Sequence, residues 1–300
     1  MTNGHEEVVS HAPTAGEYIA HHLIYFNGTG AKQVKLIDFS LVNYDTFFWA
    51  VFLALLGGFF LWLAARRATA GVPGRFQAAV EILVEMVADQ TKGLIHSAES
   101  RKFVAPLGLT VFIWIFLMNA MDFLPLDLIP EIWKGVYGSL GHDPHHAYMR
   151  VVPTADINAT MGMSVAVLLI CFYYNVKIKG IGGWSHELVS APFGTSKNPI
   201  LAVVLGLVNF AMQIIEFSAK TISHGMRLFG NMFAGELIFM LIALMGAAWT
   251  GANLPSVLLF LGHVVAGFSW AVFHILVVAL QAFIFMMLTL VYVGQAHESH

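Results

Sequence analysis

PSVLLFLGHVVAGFSWAVFHILVVALQAFIFMMLTLVY, residues 255–292, runs for 38 residues without one Asp, Glu, Lys or Arg. As a single helix it would extend roughly 57 Å, almost twice the ~30 Å of hydrocarbon in a bilayer. One upright spanning helix does not have that length. Such a segment tilts steeply and bends, or joins a surface piece to a spanning piece. The stretch before it, Pro199 to Trp249, is also very long and largely apolar, and TGANLP (250–255) reads as the turn between the two.

Working outward, further uncharged runs cover Phe47 to Ala65, Phe103 to Met121 and Ile157 to Val176. Each reaches or approaches the ~20 apolar residues of a spanning helix. The chain as a whole is 58% apolar and 11% charged, against about 25% charged in soluble domains. The sequence is therefore that of an all-α integral membrane protein. No basic block suggests nucleic acid, and the lone Cys171 lies in an apolar run as a packing residue with no disulfide or metal partner. The first apolar segment starts near Thr46, too late for a secretory signal, so the mature chain is expected to begin near Met1.

Charge placement orients the spans. Residues 1–45 form a polar extramembrane arm carrying His5, His11, His21 and His22, lightly structured around Tyr18 to Tyr25. The first span ends on Arg66 and Arg67, with Arg75, Lys92, Arg101 and Lys102 following. The positive-inside rule puts that end in the cytoplasm and the N-terminus outside. Within 71–101, Phe76, Val80, Leu83, Val84 and Val87 recur at near-helical spacing opposite Glu81, Glu85 and Asp89. This is an amphipathic helix on the membrane surface or against partner helices. The loop 122–156 is acidic and belongs outside. Lys177 and Lys179 close the third span on the inside, and Gly180 to Asn198, rich in Gly and Ser, reads as a cytoplasmic loop. The remaining domain, 46–300, is membrane-embedded, with long helices over about 199–249 and 255–293.

Ionisable groups at membrane depth cost about 2.5–3.5 kcal/mol each, so they mark ion paths or have partners. Glu216, Lys220, Arg227, Asn231, Glu236, His263, His274 and Gln281 are the polar side chains to explain. Arg227 sits in SHGMRLFGNMFAGELIF (223–239). Snorkelling to the headgroups is one reading, but Lys220 lies nearer the interface and leaves Arg227 about 10 Å deeper. Permanently charged, Arg227 cannot relay protons; it holds or repels a carboxylate. Glu236 is nine residues away, about 13 Å along the axis, so the counter-ion is expected on another chain. Asn231 shares the face of Arg227. Gly225, Gly230 and Gly235 thin the helix for close approach, which packing alone also explains.

On the last helix His274 and Gln281 share a face. Antiparallel pairing sets Arg227 level with Gln281 and Glu236 near His274, and a Glu–His contact relays protons. His263 reads as structural. Glu216 and Lys220 are an i, i+4 pair, equally a surface pair or part of an exit path. Asp122 and Asp127, in DFLPLDLIP, lie at the outer mouth, gathering cations or ending a helix.

RLFGNMFAGELIFMLIA and FHILVVALQAFIFMMLTLVYV resemble the two signature helices of subunit a of F-type ATP synthases. ATAGVPGRFQAAVE, VFIWIFLMNAMDFLPLDLIP, RVVPTADIN, KGIGGW and the opening TAGEYIAHHL extend the resemblance over most of the chain. It implies one upright spanning helix, a surface helix, a hairpin and two long tilted helices facing a ring of c subunits. The resemblance makes Arg227 the arginine that faces the ring. It places Glu236, His274, Asn231 and Gln281 along the channel, Asp122 and Asp127 at the outer entrance, and Lys220 and Ser223 on the inner side. Gln213 stands where several relatives carry Glu, and the His-rich loop GSLGHDPHHAYM (138–149) is longer than in relatives.

The implied function is proton translocation through two offset half-channels, coupled to ATP synthesis, with no ATP site on this chain and no cofactor. The implied partners are the c-ring proteolipids, peripheral-stalk b subunits, the rest of the synthase and membrane lipid. The implied location is a bacterial inner membrane, with the C-terminus cytoplasmic. A secondary transporter with its own substrate site is the alternative, and it predicts an internal repeat, which the sequence lacks. An intramembrane metalloprotease would need H-E-x-x-H, which does not occur.

Overall fold

The computed structural model describes residues 16, 19, 22–27, 42–125, 127–143, 147–251 and 253–297. His5, His11, Tyr18 and His21 of the arm, and part of the His-rich loop, lie outside them. Among the described residues the α-helices are α1 (Tyr44–Arg67), α2 (Arg75–Leu94), α3 (Ala98–Ala120), α4 (Leu128–Ser139), α5 (Ile157–Ser190), α6 (Pro199–Ala247) and α7 (Leu254–Gln295). Short 3-10 turns follow α3 at Met121–Phe123 and precede α5 at Pro153–Ala155. Helices α1, α3, α5, α6 and α7 are long and apolar enough to cross a membrane.

The two long stretches are each one helix, of 49 and 42 residues. Pro sits in the first turn of both, where its missing N–H costs nothing. The Asn253 side chain accepts from Ser256 N and caps the start of α7. Helix α6 packs on α5 and α7, and α7 also on α3. Their meeting line carries the core: Met118, Tyr174, Leu228, Met232, Met286 and Leu290 are almost fully buried. Large apolar side chains cover the opposite faces, among them Val203, Leu207, Ile215, Phe268 and Leu276. That is the pattern of helices solvated by lipid or by other apolar helices, since no gain in water burial holds them inward.

Three expectations are corrected. The segment from Gly180 is not a loop: helical structure continues to Ser190, broken only at Gly180, whose φ of 69° suits a residue without Cβ. Lys179 just before the break holds both oxygens of Glu187 just after it, at 2.7 Å, and this fixes the bend. The surface helix is shorter than 71–101, since residues 98–101 begin α3, capped by Ser97. Val87 is its buried contact, while Phe76 and Val84 stay exposed. The outer loop, finally, contains the helix α4, with Leu128, Ile132, Val136 and Leu140 exposed along one stripe.

The glycines of α6 divide as their spacing rotates them. A Cβ on Gly225 would meet Met161 Sδ at 2.6 Å, and one on Gly235 would meet the His274 ring at 2.4 Å. Gly230 faces open space. Of these three, one meets α5, one meets α7 and one is free; nearer the helix ends Gly206 meets Val189 of α5 and Gly246 meets His263 of α7.

Candidate functional site

Polar groups collect in two places along α6, on either side of Arg227. The first group centres on Glu236, which is 5% exposed. Its partner is Arg150, 4% exposed, whose Nη2 donates to the Glu236 carboxylate. The Arg150 guanidinium lies 4.4 Å over the Tyr25 ring, and its backbone N–H donates to Asp45 at 3.0 Å. Burial works against the charge on Arg150, but Glu236, Tyr25 and Asp156 outweigh it, so the guanidinium is held protonated more firmly than a free one. Burial likewise pushes the Tyr25 phenol up, and that hydroxyl donates to the Ala155 carbonyl at 2.9 Å.

His274 is fully buried, and its Nε2 stands 2.7 Å from Asp122. This corrects two expectations. The acidic neighbour of His274 is Asp122 and not Glu236, because the turn Met121–Phe123 swings Asp122 under α7 while Glu236 points at the outer loop. Asp122 is therefore no open mouth: it is 8% exposed. Asp127 does stay at the surface, paired at 2.9 Å with His22 of the arm. A cavity of about 30 Å³, room for a water, is lined by His22, Asp122, Arg150 and Glu236.

A second polar network supports the first. Asp156 accepts from Asn43 at 2.8 Å and Thr46 at 2.9 Å, and caps α5 by accepting from Asn158 N. Asp45 accepts from the backbone of Phe26 and Arg150, and Thr154 donates to Asn119 at 2.7 Å. Arm, α1, α3 and outer loop are thereby tied to one another around Glu236.

The second group lines a cavity of about 930 Å³ between the end of α5, the first half of α6 and the end of α7. Glu216 and Lys220 pair at 2.6 Å, and Lys220 also donates to Gln295 at 2.8 Å. Gln213, His186 and His224 face the same space. Asn209 closes its far end by donating to the Val189 and Gly194 carbonyls and accepting from Phe193 N.

Arg227 lies between the two groups, partly exposed, with Ser223 as its side-chain contact at 3.5 Å. Among the described residues no carboxylate stands within 4 Å of it. Asn231 and Gly230 are exposed beside it. Gln281 is 7% exposed on α7. His263 bonds the Ile242 carbonyl at 2.7 Å, as a structural residue does, and Cys171 is packed in the core.

Arg150 and His224 were not singled out by the sequence. Arg150 counted only as a loop charge, yet an Arg flanked by Val151 and Val152 in an otherwise acidic loop signals a buried partner. His224 stacks on Phe285 at 3.8 Å, and its position three residues before Arg227 was the available signal.

Comparison with known proteins bears on the whole chain. Residues 46–294 match the family described as ATP synthase A chain. The chain is 66% identical to ATP synthase subunit a of Paracidovorax citrulli over 97% of its own length and 99% of the relative's. It is 64% identical to ATP synthase subunit a of an Acidovorax species over the same shares, and 43% identical to that of a Psychrobacter species over 95% and 98%. At that identity and coverage, the chain belongs to the ATP synthase A chain family.

Proposed function

We propose that this chain carries protons across a bacterial inner membrane through two offset half-channels, coupling their flow to ATP synthesis. The outer half-channel runs past Asp127, Asp122, His274 and Glu236. The inner one is the large cavity with Glu216, Lys220 and Ser223 at its side. Arg227, with Asn231 and Gln281, stands between them and faces a ring of proteolipid subunits. A proton reaching a ring carboxylate from outside neutralises it and lets that subunit turn into lipid. After nearly a full circle the carboxylate meets Arg227, which favours its charged form and displaces the proton inward. Each charge crossing 100 mV supplies about 2.3 kcal/mol.

One observation carries this reading: a cation at membrane depth without a carboxylate partner among the described residues, set between two polar cavities on an open helix face. Such a charge is costly unless another chain answers it. Gly230 leaves room there for that chain's helix. The same reading makes α1 the upright span, α2 a cytoplasmic surface helix, α3 and α5 a hairpin, and α6 and α7 the tilted pair around the ring. It divides the chain into an outer arm (1–45) and a membrane domain (46–300), with the C-terminus cytoplasmic. The peripheral-stalk b subunits hold the chain against rotation.

The test is passive proton leak through membranes stripped of the catalytic head. Arg227→Ala is expected to assemble, to abolish ATP-driven pumping and to leak, because ring carboxylates then exchange with both sides without rotating. Arg227→Lys also fails or nearly fails, since Lys lacks the planar fork and loses its proton when buried. A tight membrane with near-normal coupled synthesis in Arg227→Ala overturns the assignment.

A further inference from the structure

We propose that Arg150 is a positioning residue of the outer half-channel, holding the Glu236 carboxylate through a buried ion pair and so setting the outside pH at which protons are taken up. This rests on the proton-channel reading above.

The geometry is that of a fixed clamp. Arg150 and Glu236 are both buried and bonded to each other, though one comes from a loop and the other from the middle of α6. The loop is anchored at that point. Arg150 N–H donates to Asp45 of α1, Tyr25 of the arm underlies the guanidinium, and Phe233 of α6 flanks it at 5.9 Å. Thr154 to Asn119 and Tyr25 to Ala155 fasten the next residues. A planar, permanently charged fork held this way fixes where the carboxylate points.

The pair is not isolated from the proton path. Its two members line the water-sized cavity together with Asp122 and His22. Glu236 is within electrostatic reach of Arg150, Asp122 and His22. His274 of α7 lies behind Asp122. Tyr25, Asp45 and Asp156 act on the Arg150 side from the arm, α1 and the cap of α5. Arg150 is thus the cation paired with one of the two carboxylates that line this cavity, Glu236 and Asp122. Asp122 is left facing the imidazole of His274. Without Arg150, two carboxylates share the site, and like charges at short range favour proton uptake by one of them at higher pH.

The experiment uses the whole synthase in membrane vesicles, with proton-driven ATP synthesis measured against the pH of the outer side. Arg150→Gln is expected to move the midpoint of that profile toward alkaline pH by about one unit or more. Flow at the unmodified optimum falls roughly tenfold. Arg150→Lys keeps the midpoint and loses only part of the maximal rate. An equal fall at every pH with an unmoved midpoint in Arg150→Gln makes the pair merely structural and overturns the proposal. So does a midpoint in Arg150→Lys that moves as far as in Arg150→Gln. If Arg150→Gln does not assemble, Arg150→His replaces it, since an imidazole keeps a donor for Glu236 but loses its charge as the pH rises. A midpoint displaced in the same direction supports the proposal, and an unmoved one overturns it. Arg227→Ala runs alongside. Intact synthesis there refutes the channel reading itself, whereas its loss with unmoved Arg150 profiles refutes only the positioning role.

Discussion

Asp122 and His274 are buried against each other with Phe123 and Phe239 rings packed around the imidazole at 5.5 and 5.3 Å. Asp122 is the carboxylate set against this imidazole, 2.7 Å from its Nε2. Asp122→Asn is expected to cut proton flow tenfold or more, on the order of the effect of removing a positioned acid–base group. Asp127→Asn, at the exposed rim, changes it by less than about twofold. Pumping rates in vesicles of equal subunit content separate the two. The same pairing decides an exchange experiment. Glu236→His with His274→Glu recovers no flow over the single variants, because the two are not partners in space. Asp122→His with His274→Asp restores part of it. Recovery by the first exchange and not the second would falsify the pairing.

Three glycines in the middle of helix α6, Gly225, Gly230 and Gly235, have three fates, and substitution at each tests a different contact. A large side chain at Gly225 has Met161 and the Thr160 carbonyl in its way, so Gly225→Leu forces α5 and α6 apart at a cost of about 1–3 kcal/mol. The expected readout is less chain in the membrane by immunoblot. Gly230→Leu meets nothing in this chain, so its abundance stays unchanged. If a ring helix passes there, coupled flow nevertheless falls severalfold. Normal flow in Gly230→Leu would move the ring contact elsewhere on α6. Helix α5 offers a parallel case at Gly180, whose φ of 69° and ψ of 163° lie in a region essentially confined to glycine, so any L side chain there is strained by about 1–3 kcal/mol.

For the molecule as a whole, the proposed orientation rests on the placement of Lys and Arg, because the coordinates by themselves leave it free. Cysteines introduced at Ser139, at the end of α4, and at Thr195, between α5 and α6, should react with an impermeant thiol reagent from opposite sides of the membrane. The native Cys171 is buried and contributes no background. Labelling of both positions from one side contradicts the topology. The exposed apolar faces of α1, α6 and α7 make the isolated chain poorly soluble without lipid or other subunits.

Much of this protein was legible in one dimension because a membrane imposes one-dimensional rules. Apolar run length gave the five long helices, and the excess length of the last two showed that neither is a simple upright span. A polar group that survives in such a run needs a partner or a water-filled cavity, which is why Arg227, Glu236 and His274 stood out. The same rules are silent wherever the chain leaves hydrocarbon. There the helix α4 and the continuation of α5 past Gly180 depend on local contacts such as Lys179 with Glu187. Pairing was the larger gap. Sequence spacing brought Glu236 toward His274, but a turn of three residues delivers Asp122 to His274, and an outer loop delivers Arg150 to Glu236. Partners separated by 86 and 152 positions are chosen by how loops fold back over helix ends. That choice follows from satisfying every buried charge at once, a condition only the tertiary structure meets.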